Sequence, residues 1–274
     1  MALVQTLRSV RDRMRQAPVL GPWLERRYRR KFARQRIDYN AYCGVYPDYA
    51  SALAAAPDTL PKGYDHAETA LLYAARTRYI LACDYPAMFW LQRLFAEGCA
   101  SVFDLGGSIG IKYYAFRRYL DYPPNLRWTV SELPTVAAAG TEWAAEHDQH
   151  RQLAFTRDPA EADGQDILFA SGSLQYLDYT LADLLKPMAR RPRHVLITVL
   201  PLHPERGFYT IQNMGALYCV YGIAARPEFV AQMQDLGYAV RDQWDQPDRE
   251  CEIPFHPECR VEKYYGFLFS RKNT

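Results

Sequence analysis

Val102-Phe103-Asp104-Leu105-Gly106-Gly107-Ser108-Ile109-Gly110 reads as a buried strand that turns through three glycines into the helical pattern of residues 111–120. Glycine accepts the unusual dihedrals of such a turn and leaves bare backbone that a ligand can approach closely. The first N–H groups of the following helix offer positive potential to an anionic group such as a carboxylate. Dinucleotide enzymes prefer G-x-G-x-x-G, and the spacing Gly106, Ser108, Gly110 does not fit it, which argues against a nicotinamide enzyme.

Working outward, Leu126 to Val130 reads as the next strand, and Glu132 follows it 22 residues beyond Gly110. In an open parallel sheet the carboxyl end of that strand lies beside the glycine loop, where a carboxylate can accept hydrogen bonds from both hydroxyls of a ribose. The runs SVFDL, LRWTV, LAF, DILFA and HVLITVL alternate with helical patterns, as in a doubly wound α/β sheet. The end departs from strict alternation, with a helix over 227–236, a strand over 238–244, a loop rich in Pro and Cys, and a last strand over 264–269.

Upstream the pattern is helical. Residues 3–16 and 20–36 read as two helices parted by Ala17-Pro18, with Leu3, Val4, Leu7, Val10 and Met14 at near-helical spacing and arginines opposite. Residues 39–61 read as an irregular connector with one short helix over 49–56. Helical patterns return over 66–80 and 85–97, interrupted near Asp84-Tyr85-Pro86, where proline disfavours helix in its predecessor.

The composition of the 274 residues is that of a globular protein, 49% hydrophobic and 23% charged, which excludes wholesale disorder, collagen-like and coiled-coil readings. No apolar run reaches the roughly 18 to 20 residues of a membrane span. The opening MALVQTLRSVRDRMRQ is broken by arginines and lacks a secretory signature, so a cytoplasmic location is expected. Six scattered cysteines are expected as reduced thiols. The net charge of +2 hides an asymmetry: the first 37 residues hold 11 basic residues against Asp12 and Glu25, leaving 22 basic and 29 acidic residues beyond. No nucleic-acid partner is expected from that balance. The basic segment from Glu25 to Arg36 reads either as a solvated face or as a peripheral contact with anionic lipid.

With these residues in place, the chain resembles the class I S-adenosylmethionine-dependent methyltransferases over roughly residues 100–270. Ser131-Glu132-Leu133-Pro134-Thr135-Val136 is similar to the acid-Leu-Pro segment of small-molecule O-methyltransferases, and ILFASGSLQYL over 167–177 to the fourth strand and following loop that line the cofactor. More narrowly, FDLGGSIG, SELP and SGSLQYL behind a tyrosine-rich helical start resemble a family of bacterial methyltransferases associated with surface-polysaccharide gene clusters. The resemblance implies a mostly parallel, seven-stranded Rossmann-like sheet over 98–274, with residues 1–97 forming a helical extension that covers the acceptor side. It implies S-adenosylmethionine as cofactor, a small-molecule or glycan-related acceptor, and a homodimer as a candidate assembly.

Residue roles follow from the same resemblance. Asp104 would orient the loop and the cofactor's amino group. Gly106, Gly107 and Gly110 would let backbone approach, and Ser108, where many relatives have glycine, would hydrogen-bond the methionine end. Glu132 and Leu133 would meet the ribose side, and Thr156 or Asp158 the adenine. Ser171, Gly172, Ser173 and Gln175 would line the space beneath the sulfonium.

Methyl transfer is an in-line displacement at an already activated carbon, so alignment and water exclusion dominate and a base is optional. His203, just past the strand over 194–200, is the candidate base, with Tyr176, Tyr209 and Asn213 as candidates to shape the acceptor pocket. Cys251, His256 and Cys259 have too few ligands and too loose a spacing for structural zinc, so no metal is expected. Two rival readings stand beside this one. Gly106-x-Ser108-x-Gly110 also spells a hydrolase nucleophile elbow, with Asp166 or Asp178 and His203 downstream. A methyltransferase-like domain that binds without catalysis is the other.

Overall fold

The computed structural model describes residues 11–34, 40–66 and 73–271. In chain order its elements are α1 (Leu20–Arg34), β1 (Ala41–Tyr46), α2 (Tyr49–Ala55), α3 (Tyr85–Ala96), β2 (Ser101–Leu105), α4 (Ile111–Arg117), β3 (Arg127–Ser131), α5 (Pro134–His147), β4 (Leu153–Thr156), β5 (Ile167–Ser171), α6 (Leu181–Leu185), β6 (His194–His203), β7 (Phe208–Asn213), β8 (Tyr218–Ala225), α7 (Arg226–Asp235), β9 (Tyr238–Gln246) and β10 (Tyr264–Arg271). They fall into two compact units, one drawn from Met1–Gly63, Pro201–Ala225 and Pro247–Lys263, the other from Tyr64–Leu200, Arg226–Gln246 and Tyr264–Thr274. Both units draw on segments from either side of residues 97 and 98.

Among the described residues, the unit beginning at Tyr64 holds seven strands in the order β4-β3-β2-β5-β6-β10-β9. Strands β4, β3, β2, β5 and β6 run parallel to one another, and β10 runs antiparallel to β9. This is a doubly wound, mostly parallel α/β sheet. Every residue of β2 is buried, as are the first four of β5, because central parallel strands are covered on both faces. Leu91, Leu94 and Phe95 of α3, Tyr113 and Phe116 of α4, Trp128 of β3 and Phe169 of β5 share one core. Trp128 anchors it, stacked on Tyr122 at 5.8 Å and edge-on to Phe169 at 6.0 Å. Each such side chain contributes about 1.5 to 3 kcal/mol on burial.

The other unit is built on the antiparallel trio β1-β7-β8, with Cys43 opposite Ile211 and Ile211 opposite Val220. Leu202 and His203 at the end of β6 pair in parallel with Ala224 and Ala225 of β8. Phe32 of α1 packs with Ala41, Cys43, Ala56, Ile211 and Tyr218. The carbonyl of Phe32 accepts hydrogen bonds from Asn213 Nδ2 and from the Tyr218 hydroxyl, both at 3.0 Å, which satisfies a terminal helix carbonyl.

Several expectations change. The connector read over 39–61 contains the strand β1 before its short helix, and the hairpin of β7 and β8 was not anticipated. Its signal was present in the alternating runs on either side of Gly215. Of the helix read over 66–80, residues 67–72 lie outside the described residues, and Ala74–Arg78 is a 3-10 turn. Of the first helix read over 3–16, residues 3–10 also lie outside them, while 11–16 is helical. Among the described residues no helix is long and apolar enough to cross a membrane.

Candidate functional site

In the seven-stranded sheet the chain steps outward from β2 through β3 to β4, then returns to β5 on the other side of β2. The crevice at the carboxyl ends of strands where the order reverses is where open α/β sheets bind ligands. Two loops meet that description, Gly106 to Gly110 after β2 and Ser171 to Gln175 after β5.

The glycines of the first loop answer first to the protein's own packing. Gly106 has φ +74°, and a Cβ there would lie 2.4 Å from Cβ of Ser173. A Cβ on Gly107 would lie 2.4 Å from Oδ2 of Asp104, and one on Gly110, at φ +83°, would lie 2.7 Å from Leu153. Ser108 takes φ +57°, an uncommon conformation for a residue with a side chain. The Ser173 hydroxyl donates to the carbonyl of Leu105, which joins the two loops directly.

Glu132, at the end of β3, grips the loop. Its Oε1 accepts the backbone N–H of Ser108 at 2.8 Å and its Oε2 that of Leu133 at 3.0 Å. Burial pushes its carboxyl above the usual range, although both backbone donors favour the ionised form. Leu133 beside it is 44% exposed, an apolar side chain presented next to a carboxylate.

Asp104 lies fully buried beneath the loop. The Trp128 indole N–H donates to its Oδ2 at 3.1 Å, whereas Oδ1 is buried with no hydrogen-bond partner among the described residues. Burial pushes its carboxyl up to about 7, with the Trp128 hydrogen bond opposing and nearby Glu132 adding to the rise. Gln175 repeats the pattern in the second loop. Its Nε2 donates to the carbonyl of Gly172 at 2.9 Å, and its Oε1 is likewise buried without a partner. A buried acceptor left unpaired costs about 1 to 3 kcal/mol, so these two oxygens suit a ligand carrying N–H groups or positive charge.

Residues that local patterns did not indicate complete this end of the sheet. Asp65 Oδ1 accepts the N–H of Thr135 at 2.8 Å, and the ring of Tyr64 meets that of Tyr176 edge-on at 5.1 Å. Two adjacent residues thus touch the segments that follow β3 and β5. Asp84, buried, pairs with Lys112 of α4 at 2.5 Å. Gln246, at the end of β9, accepts the N–H of Val199 at 3.1 Å and donates to Thr198 Oγ1 at 2.6 Å and to the Cys83 carbonyl at 3.3 Å. Val199 takes φ +60°, strained for a β-branched residue, and its side chain lies 3.4 Å from where a Cβ on Gly172 would stand. These side chains act across long sequence separations, so no spacing rule finds them.

Other predicted residues have different duties. Thr156 Oγ1 donates to Glu161, and Asp158 accepts the N–H of Ala160 at 2.9 Å, capping a 3-10 turn. Both line an open cavity of about 350 Å³ with Ala137, Ala138, Thr141 and Phe155. Ser171 and Gly172 lie half-buried at the end of β5. Tyr209 and Asn213 belong to the other unit, where Tyr209 meets Tyr49 edge-on at 6.2 Å and Asn213 caps α1. His203 is in that unit too and is buried. Its Nδ1 faces the backbone N–H groups of Glu205 and Arg206, both at 3.2 Å, and its Nε2 the carbonyl of Glu258 at 3.0 Å. Nδ1 therefore accepts and Nε2 donates, and the ring staples two loops. Both ring nitrogens of the expected general base are thus engaged by backbone groups.

Of the two acids in the hydrolase reading, Asp166 stands apart from Ser108. Asp166 Oδ2 accepts from the N–H groups of Ala100 and Ser101 and from the Ser101 hydroxyl, at the amino end of β2, whereas Ser108 follows its carboxyl end. Among the described residues no group of three or more His, Cys, Asp or Glu side chains could hold a metal ion.

No protein-family model matches the chain, and no curated protein matches it. Solved structures similar to it include an O-methyltransferase family protein from Burkholderia thailandensis, 17% identical over 92% of this chain and 69% of its own, with a TM-score of 0.48. Another is the 1,6-didemethyltoxoflavin-N1-methyltransferase of Burkholderia thailandensis, solved with 1,6-didemethyltoxoflavin and S-adenosylhomocysteine, 18% identical over 70% of this chain and 79% of its own, TM-score 0.45. The chain spans half the length of a third, the mitomycin 7-O-methyltransferase MmcR, at 18% identity over 64% of this chain and a TM-score of 0.41.

Proposed function

We propose that the chain is an S-adenosylmethionine-dependent methyltransferase acting on an oxygen, with nitrogen as the alternative, of a small molecule or glycan-related metabolite. One observation carries the reading: the carboxylate of Glu132 is fastened to the Ser108 backbone where the strand order reverses, at an end of the sheet that also holds two buried acceptors without partners among the described residues.

The cofactor, when bound, supplies a methyl carbon already activated by its sulfonium. The chain's own residues bind and orient. Each carboxylate oxygen has two acceptor sites, so Glu132 keeps capacity for ribose hydroxyls while it holds Ser108 and Leu133. Asp104 Oδ1 and Gln175 Oε1 are the acceptors suited to an ammonium group, and Leu133 offers an apolar surface to a purine. Displacement at an activated carbon needs alignment more than proton transfer, so a site without a histidine base is chemically sufficient.

Calorimetry on the full chain with S-adenosylmethionine and S-adenosylhomocysteine tests the binding half, and mass spectrometry of small-molecule acceptors incubated with both tests the transfer. Absence of heat with either compound ends this reading. A second reading, binding without catalysis, is selected if the cofactor binds and no acceptor yields S-adenosylhomocysteine.

A further inference from the structure

Helix α1 carries Arg26, Arg27, Arg29, Arg30, Lys31 and Arg34 against a single acid, Glu25, which pairs with Arg29 at 2.8 Å. Gly21 and Phe32 are its buried residues, and Tyr28, on the same side, donates its hydroxyl to the carbonyl of Tyr42 at 2.7 Å. The opposite face points to solvent. At its centre stands Trp23, 47% exposed, with Arg26, Arg27, Arg30 and Arg34 three, four, seven and eleven positions on, all exposed. The Arg27 guanidinium lies 5.5 Å from the Trp23 ring centre. Leu20, 41% exposed, and Val19, 89% exposed, extend the apolar part toward the amino end.

Arg26, Arg27, Arg30, Lys31 and Arg34 pair with no acid among the described residues. A favourable helix dipole accounts for Lys31 and Arg34 in the last turn. It does not account for the three other arginines, nor for a tryptophan, a leucine and a valine held in water beside them. Elsewhere in the same unit Arg11 and Arg15 pair with Glu252, and Arg260 with Asp12. Among the described residues of α1, the cations without an acid lie on one face.

We propose that this face docks on an anionic phospholipid bilayer. Guanidinium groups match lipid phosphates, indole is suited to the headgroup level with its ring in the apolar layer and its N–H in the polar one, and exposed aliphatic side chains gain by entering the acyl boundary. A nucleic-acid duplex would satisfy the arginines alone, and the acidic balance beyond residue 37 gives no basic path to extend that contact. The inference does not rest on the methyltransferase reading.

Sedimentation of the full chain with vesicles of phosphatidylcholine, with and without phosphatidylglycerol, tests it. Binding is expected only with phosphatidylglycerol, falling as salt rises. It should weaken by more than about tenfold when Arg26, Arg27, Arg30 and Arg34 are all replaced by glutamine. The Trp23→Ala variant should bind less at every salt concentration, and the Trp23→Phe variant should lose the vesicle-induced blue shift of emission. The proposal is overturned by equal sedimentation with both vesicle types, by none with either, by tighter capture on duplex DNA than on the anionic vesicles, or by undiminished binding of a glutamine variant whose melting midpoint is unchanged.

Discussion

The carboxylate of Glu132 accepts the backbone N–H of Ser108 at 2.8 Å, so the acid after β3 and the glycine loop after β2 form one assembly before any ligand arrives. A loop whose amide is held in this way is already ordered, which lowers the entropic cost of binding. Replacing Glu132 by alanine is expected to weaken S-adenosylhomocysteine binding by about 1 to 3 kcal/mol. Calorimetry showing unchanged affinity would place the ribose elsewhere.

Asp104 gives a pH signature. Its carboxyl is pushed up to about 7 by burial, whereas in the unfolded chain it titrates near about 4. Between those values the folded state carries a proton that the unfolded state lacks, so its contribution to stability falls as pH rises and levels off above about 7. Asp104→Asn is neutral throughout and should raise the melting midpoint relative to the wild type at pH 8, with little difference at pH 5. A pH-independent difference would contradict this origin.

Gln246 stabilises a strained turn of backbone at Val199 with three side-chain hydrogen bonds. Gln246→Leu keeps the bulk and strands the Val199 N–H, for an expected loss of about 2 kcal/mol or more in chemical denaturation. Because Val199 lies against Gly172, cofactor affinity should fall as well, measured at a temperature where the variant remains folded. Affinity equal to wild type would separate β6 from the site.

Two glycine substitutions should rank. Gly98 and Gly106 both have positive φ, but a Cβ on Gly98 meets nothing within 4 Å while one on Gly106 lies 2.4 Å from Ser173. Each alanine variant carries the left-handed cost of about 1 to 2 kcal/mol, and Gly106→Ala adds overpacking of about 1 to 3 kcal/mol. Equal urea midpoints for the two would refute the close packing of the loops.

His203→Ala is expected to lower stability by about 1 to 3 kcal/mol, since the Glu205 and Arg206 N–H groups lose their acceptor and the Glu258 carbonyl loses one of its two donors. A variant of wild-type stability that nevertheless loses turnover would restore the base role.

The central sheet was readable because its signals are local. A buried five-residue run such as SVFDL, followed by glycines and a helical period, specifies strand, turn and helix from neighbours in the chain, and the repetition of that unit specifies a parallel sheet. The position of Glu132 was readable for the same reason, since a fixed number of residues separates consecutive strand ends. The hairpin of β7 and β8 left weaker traces, and β1 hid in a stretch rich in tyrosine and proline whose partner lies more than 160 residues away.

What the sequence by itself determined is thus the order of the strands' local units and the residues at their carboxyl ends. Only the tertiary structure decided which polar side chains are free to act there. His203 has the chemistry of a base but is consumed by backbone partners from residues 205, 206 and 258, while Asp65, Asp84 and Gln246 reach the strand ends from far along the chain. Burial and hydrogen-bond satisfaction are properties of the packed neighbourhood, and no spacing within one segment encodes them.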